Sequence, residues 1–136
     1  MLEILNADTS VQQNIHKRVW PSAQRESVVL SHIFQIDDKS WCVTNFSIEH
    51  EAAPMDPNKH VRLIANVFFM ATTERSGESS SRKDVGARIV YIASVNPGGW
   101  APAAAVQAIS KREYPKFLRN FSKCALRHFE KLPLEA

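Results

Sequence analysis

Apolar positions recur along this chain in two different rhythms. Val28-Val29-Leu30-Ser31-His32-Ile33-Phe34-Gln35-Ile36 is dense in β-branched and aromatic residues and stops at the turn formers Asp37-Asp38-Lys39-Ser40. Residues 41–48 resume the extended pattern, and so short a connection predicts an antiparallel hairpin. Residues 49–59 are acidic and hold Pro54 and Pro57, which marks a loop. Further strands are expected over residues 61–72 and 87–95, joined by a Ser-rich connection across 74–84 that has little to bury. Beyond residue 102 the rhythm changes to steps of three and four. Val106, Ile109, Phe117, Phe121, Ala125 and Phe129 form one stripe, and Lys111, Lys116, Arg119, Lys123 and Arg127 lie mostly on the other side. That pattern predicts one long amphipathic helix, with Pro102 acceptable in its first turn and Pro115 kinking it from inside.

An antiparallel sheet crossed by a single helix can pack solid or enclose a ligand pocket between the two, and periodicity does not choose between these outcomes. At 136 residues, with 44% hydrophobic and 23% charged positions, the chain has the size and composition of one ordinary globular domain without internal repeats. No window approaches the roughly 20 apolar residues of a membrane span. Met1-Leu2-Glu3-Ile4-Leu5 lacks the basic start and apolar run of a secretory signal, so cytosolic residence is the default expectation. Cys42 and Cys124 have no metal spacing and are expected as buried free thiols. The net charge of +3 is unevenly spread, because residues 111–131 carry seven Lys or Arg against two Glu. Such a basic helix can attract anionic headgroups or be a plain solvated surface.

Candidate chemistry is sparse in one respect and suggestive in another. There is no GxSxG elbow, HExxH pair or phosphate-cradling glycine loop, and His16, His32, His50, His60 and His128 have no ligand spacing. A non-enzymatic protein without metal or cofactor is therefore expected. Asn45 and Tyr91, by contrast, are polar side chains inside apolar strands, where burial is costly unless a hydrogen-bond partner is found. Strand alternation puts Asn45 on one side with Trp41 and Val43, and Tyr91 with Ile89, Ala93 and Val95. Either can be a structural group satisfied by backbone or water, or a contact for a ligand. Trp20 and Trp100 fall beside prolines in loops, where an amphipathic ring can cap a core or meet a membrane interface.

Two longer blocks narrow the choice. Val95-Asn96-Pro97-Gly98-Gly99-Trp100-Ala101-Pro102, leading into Lys111-Arg112-Glu113-Tyr114-Pro115-Lys116-Phe117-Leu118, resembles the C-terminal end of START lipid-transfer domains, and His16-Lys17-Arg18-Val19-Trp20-Pro21 with Gln24-Arg25 looks like another loop of the same family. Both blocks are similar in wording to the ceramide-carrying members. The resemblance implies an α/β (α+β) helix-grip fold, a curved antiparallel sheet packed on a long C-terminal helix around a lipid cavity, with residues 1–15 as short strands. It implies non-vesicular lipid transfer between membranes, of ceramide above all, with no nucleic-acid partner. The ligand contacts it implies are Asn45, Tyr91 and, where the family carries a longer glutamine, Asn14; the implied membrane contacts are Trp20, Trp100 and His16, the last equally able to be a structural histidine. The family's acidic ligand contact would fall upstream of Met1, so residues 1–136 are expected as a partial START lipid-binding domain lacking its N-terminal part. By resemblance its place is the cytoplasm, in transient contact with endoplasmic reticulum and Golgi membranes. A carrier of a sterol or phospholipid, and an interaction module that no longer transfers lipid, are the alternative expectations.

Overall fold

The computed structural model describes residues 1–18, 22–56, 58–76 and 81–132. The chain divides into two compact units, residues 1–100 and 101–136. The first is a seven-stranded sheet formed by β1 (Glu3–Asn6), β2 (Thr9–Ile15), β3 (Arg25–Asp37), β4 (Ser40–Ser47), β5 (Val61–Arg62), β6 (Ile64–Arg75) and β7 (Val85–Asn96). The order β1-β2-β3-β4-β6-β7 is antiparallel throughout, and β5 lies off this path, parallel to the start of β3. The second unit is α1 (Ala103–Phe129). A largely antiparallel sheet followed by a C-terminal helix is the fold class expected from the sequence.

The hairpin expected at Asp37-Asp38-Lys39-Ser40 joins β3 to β4, and the Asp37 carboxylate accepts the Lys39 amide at 2.9 Å, closing the turn locally. The irregularity of pairing between Gln35 and Asp37 is a bulge that shifts the register of the whole strand pair. One element departs from expectation. The single strand predicted over 61–72 is broken at Leu63, so that β5 turns to run beside β3 while β6 continues to Arg75. Leu63 is buried at this break and its amide donates to the Glu26 carbonyl at 2.9 Å. The connection 74–84 also carries more structure than composition suggests, since it contributes the end of β6 and a short 3-10 turn, Arg82–Asp84.

The main apolar cluster lies on one face of the sheet. Val11 and Val28 are buried there against Ala53 of the loop after β4, with Leu2, Leu30 and Ile48 packed around them. Cys42 is also fully buried. Cys124, by contrast, is an exposed thiol on α1, where burial was expected. The helix continues through Pro115 without interruption, because losing one backbone donor does not break the long run of good formers on either side. Pro102 stands immediately before the helix rather than within its first turn. The rings of Phe117 and Phe121 meet in a tilted arrangement along the apolar stripe at 6.2 Å between centroids, while Arg112 and Lys116 both pair with Glu113 at 2.7 and 3.3 Å.

Candidate functional site

Residues paired directly across strands share a face, so the register decides which polar groups meet. A single row crosses the sheet from Ser10 to Ser31, Asn45, Val67 and Ala93, each opposite the next. Neighbouring rows on this same face pair Asn14 with Ser27, and Val43 with Phe69 and Tyr91. Asn14, Asn45 and Tyr91, which local alternation could not relate, therefore all lie on one face, opposite to the face that buries Val11 and Val28. They form a diagonal. Asn45 and Tyr91 are two strands apart, about 10 Å laterally, and one step apart along the strand direction. Asn14 lies two strands to the other side and about 13 Å along from the Asn45 row, in an exposed position. Asn45 and Tyr91 are thus neighbours in a way that Asn14 is not. Between Asn45 and Tyr91 the face is apolar, built from Val43, Val67, Phe69 and Ala93.

Asn45 is half-buried, and its side-chain amide makes no hydrogen bond among the described residues. Nearby polar groups behave differently. The Ser47 hydroxyl donates to the Ala65 carbonyl at 3.2 Å and accepts the Ala65 amide at 2.8 Å, and the Gln12 amide donates to the Ser10 hydroxyl at 3.1 Å. Ser31, only 8% exposed and directly opposite Asn45, is a second polar group of this row that sequence reasoning did not single out. Its signal was present as the one hydroxyl in the apolar run of β3.

His16 extends the β2–β3 pairing by one step, its amide donating to the Arg25 carbonyl at 2.8 Å. Its Nε2 lies 2.9 Å from the Ser27 hydroxyl, and burial holds the ring below the ordinary histidine pKa. The imidazole is thus neutral at neutral pH and engaged with the sheet, as a structural histidine would be. Trp20 lies outside the described residues. Trp100 is 73% exposed at the end of the 96–100 turn. This turn is shaped by Asn96, whose side chain accepts the Gly98 amide at 3.1 Å, and by left-handed Gly98 and Gly99 at φ 61° and 55°. Both glycines lie against β5, and a Cβ on Gly98 would meet the Arg62 carbonyl oxygen at 2.5 Å.

On the buried face, Glu26 organises β5. Its carboxylate, in a residue 4% exposed, accepts Arg62 Nε and Nη2 at 3.1 and 2.8 Å and Gln13 Nε2 at 2.8 Å, with His60 Nδ1 at 3.6 Å. Burial pushes this carboxyl up, but the hydrogen bonds from Arg62 and Gln13 and the charges of Arg62 and His60 outweigh it and hold the pKa below the usual carboxylate value. Arg62 Nη2 also donates to the Ala53 carbonyl at 2.8 Å, tying the loop after β4 to the same centre. Among the described residues, no group of three or more His, Cys, Asp or Glu could hold a metal ion, and no helix is long and apolar enough to cross a membrane.

The START domain family model matches residues 1–131, nearly the whole chain. The chain belongs to the START domain family. This START domain is 40% identical over 132 residues to the ceramide transfer proteins of Cricetulus griseus and Homo sapiens, and 39% identical to that of Xenopus tropicalis. Each match takes in 90% of this chain but only 22%, 21% and 21% of the relative, so the chain spans about a fifth of the length of these proteins. Its backbone superposes on the crystal structure of human STARD10 with a TM-score of 0.75 at 20% identity, covering 95% of this chain and 49% of that one, which is a likeness of fold. START domains are lipid-binding and lipid-transfer domains rather than enzymes.

Proposed function

We propose that this START domain carries ceramide between membranes without making or breaking a bond, at cytoplasmic faces of the endoplasmic reticulum and Golgi. The observation that supports ceramide is the Asn45 amide, half-buried on an apolar face and without a protein partner among the described residues. A group in that position costs free energy unless something supplies hydrogen bonds, and a lipid whose polar end bears an amide and hydroxyls, as ceramide does, can give and accept them. Tyr91 lies within reach of the same headgroup, Ser31 lines the row beside it, and Asn14 serves a more distant contact. Acyl chains then lie along Val43, Val67, Phe69 and Ala93. The names of the relatives, which concern ceramide, point the same way.

Asn45→Ala should lower ceramide extraction from vesicles about tenfold, the loss of one well-placed hydrogen bond to a buried group, and leave the unfolding midpoint unchanged. Unaltered extraction by this variant would remove Asn45 from the site. Trp100→Ala should slow transfer between vesicles while binding of detergent-presented ceramide persists, because the ring serves the encounter with the bilayer and not the ligand. Equal loss in both assays would place Trp100 in the ligand site instead.

A second reading is favoured by β7. Twelve residues long, it pairs only with β6 among the described strands, and Ile89, Ile92 and Val95 along it are exposed. An edge of this kind can accept another strand, as an interaction module would. Native mass spectrometry after incubation with mixed-lipid vesicles separates the two readings. A one-to-one ceramide adduct supports the carrier, a sterol or phospholipid adduct a different cargo, and a lipid-free protein in a complex the interaction module.

A further inference from the structure

The two edges of the sheet are guarded differently. β1, at one edge, is four residues long, its pairing with β2 shifts between Ile4 and Asn6, and its Glu3 carries a charge that meets His50 Nε2 at 3.0 Å. Short length, an irregular register and a charged residue are the devices that stop an edge strand from pairing further. β7, at the other edge, lacks them. It runs for twelve residues without proline, and its register with β6 is unbroken from Ile64–Asn96 to Arg75–Val85. Its one charged residue, Arg88, is engaged by Glu74 of β6, while Ile89, Ile92 and Val95 are exposed along it.

The sequence of β7 is also complementary to itself when reversed. With Tyr91 opposite Tyr91 of an antiparallel second copy, Ile89 meets Ala93 of that copy, Ile92 meets Val90, Val95 meets Ala87 and Arg88 meets Ser94. Each exposed large side chain thus finds a smaller aliphatic one, and no like charges are opposed.

We propose that two copies of this START domain pair through β7 into one continuous antiparallel sheet, with Tyr91 at the two-fold axis. This rests on the open β7 edge read above as an interaction surface and commits that edge to a second copy. A matching strand must be long, regular and nearly uncharged; β3 and β6 are of similar length but are paired on both sides, which leaves β7 itself. An isologous contact of this kind closes on itself, and the guarded β1 edge offers nothing for growth, so assembly stops at two. The axis stands perpendicular to the sheet, so the faces that bear Asn45 lie on the same side and the apolar surface beside Tyr91 runs on into the second copy.

The test is the oligomeric state of the full chain by sedimentation velocity at roughly 1 to 100 μM, the range in which a micromolar contact is read. Wild type should pass from monomer to dimer with concentration, and amide exchange across residues 86–96 should slow in step while β1 is unchanged. Ser94 lies on the face opposite to Asn45, so changing it spares the proposed lipid contacts. Ser94→Lys sets a lysine against Arg88 twice in this register and should weaken the dimer about tenfold. Ser94→Glu sets a carboxylate there instead and should tighten it severalfold, and it carries the test if Ser94→Lys does not fold. A chain monomeric throughout would overturn the proposal, as would growth beyond two or a dimer that the two Ser94 variants affect alike. A monomer that pairs β7 with a different protein would overturn the second copy as occupant and leave the interaction module standing, while ceramide extraction by Asn45→Ala reads the carrier function separately.

Discussion

Replacing Arg62 with alanine is expected to destabilise the sheet unit by about 3–5 kcal/mol, the cost of stranding a buried carboxylate without its cation. Glu26 is 4% exposed, and Arg62 supplies two of its three close hydrogen bonds. The same substitution frees the Ala53 carbonyl, so the loop after β4 loses a tether to β5 at the same time. Urea unfolding of the full chain measures the effect, and a loss under about 1 kcal/mol would show that the pair is solvated in practice. Replacing both partners with apolar residues, Glu26→Leu with Arg62→Met, should recover much of the loss, because no uncompensated charge remains. The pH dependence follows from the direction of the Glu26 shift. Its folded pKa lies below the unfolded value, so the stability it contributes is complete above the ordinary carboxylate range and disappears as pH falls through the depressed folded value. The acid limb of the wild-type stability curve should therefore flatten in the double variant.

Gly98→Ala is the second large effect, expected to cost about 3 kcal/mol from a left-handed backbone joined to forced repacking. At φ 61° an L side chain is strained wherever it stands, and here the added Cβ would be 2.5 Å from the Arg62 carbonyl, backbone that cannot rotate away. The turn must then lift from β5, displacing the carbonyls of Pro97, Gly98 and Trp100 that Arg25 holds. Vesicle transfer should fall with stability in this variant. Gly86→Ala supplies the contrast, since no atom lies within 4 Å of the site and no positive φ is required there. Its unfolding midpoint should match wild type or rise slightly. A Gly98→Ala protein as stable as Gly86→Ala would mean that the turn is not seated against β5.

The elements of this START domain were legible in the chain because each follows from local physics. Dense β-branched and aromatic runs bounded by turn formers give β3, β4 and β7, and the three-to-four spacing of Val106, Ile109, Phe117, Phe121 and Phe129 gives α1. Where expectation and structure part, a distant partner decides. The strand over 61–72 breaks at Leu63 because Arg62 is drawn to Glu26, thirty-six positions away, and no property of the apolar run itself announces that carboxylate. Cys124, three positions after Phe121 and seven after Phe117, lies on the apolar stripe itself and is exposed because no residue of α1 is buried.

The candidate site divides in the same way. Sequence alone marked Asn45 and Tyr91 as polar intruders in apolar strands and Trp100 as a ring beside a glycine turn, because these are facts about each residue and its immediate neighbours. Whether those groups share a surface depends on register, which is set by pairing between strands far apart in the chain. Continuing the Asp37–Ser40 pair regularly would put Ser31 opposite Phe46; the bulge between Gln35 and Asp37 puts it opposite Asn45 instead. That one-residue shift gathers Ser31, Asn45 and Tyr91 on one face, and the convergence of the Ala23, Pro97, Gly98 and Trp100 carbonyls on Arg25 is likewise invisible in its sequence neighbourhood. The sequence by itself determined which segments are strands, turns and helix and which residues stand out within them. Tertiary structure alone decided which of those residues meet, because side-chain alternation is local whereas register and the burial of a charged pair are settled only when the whole sheet closes.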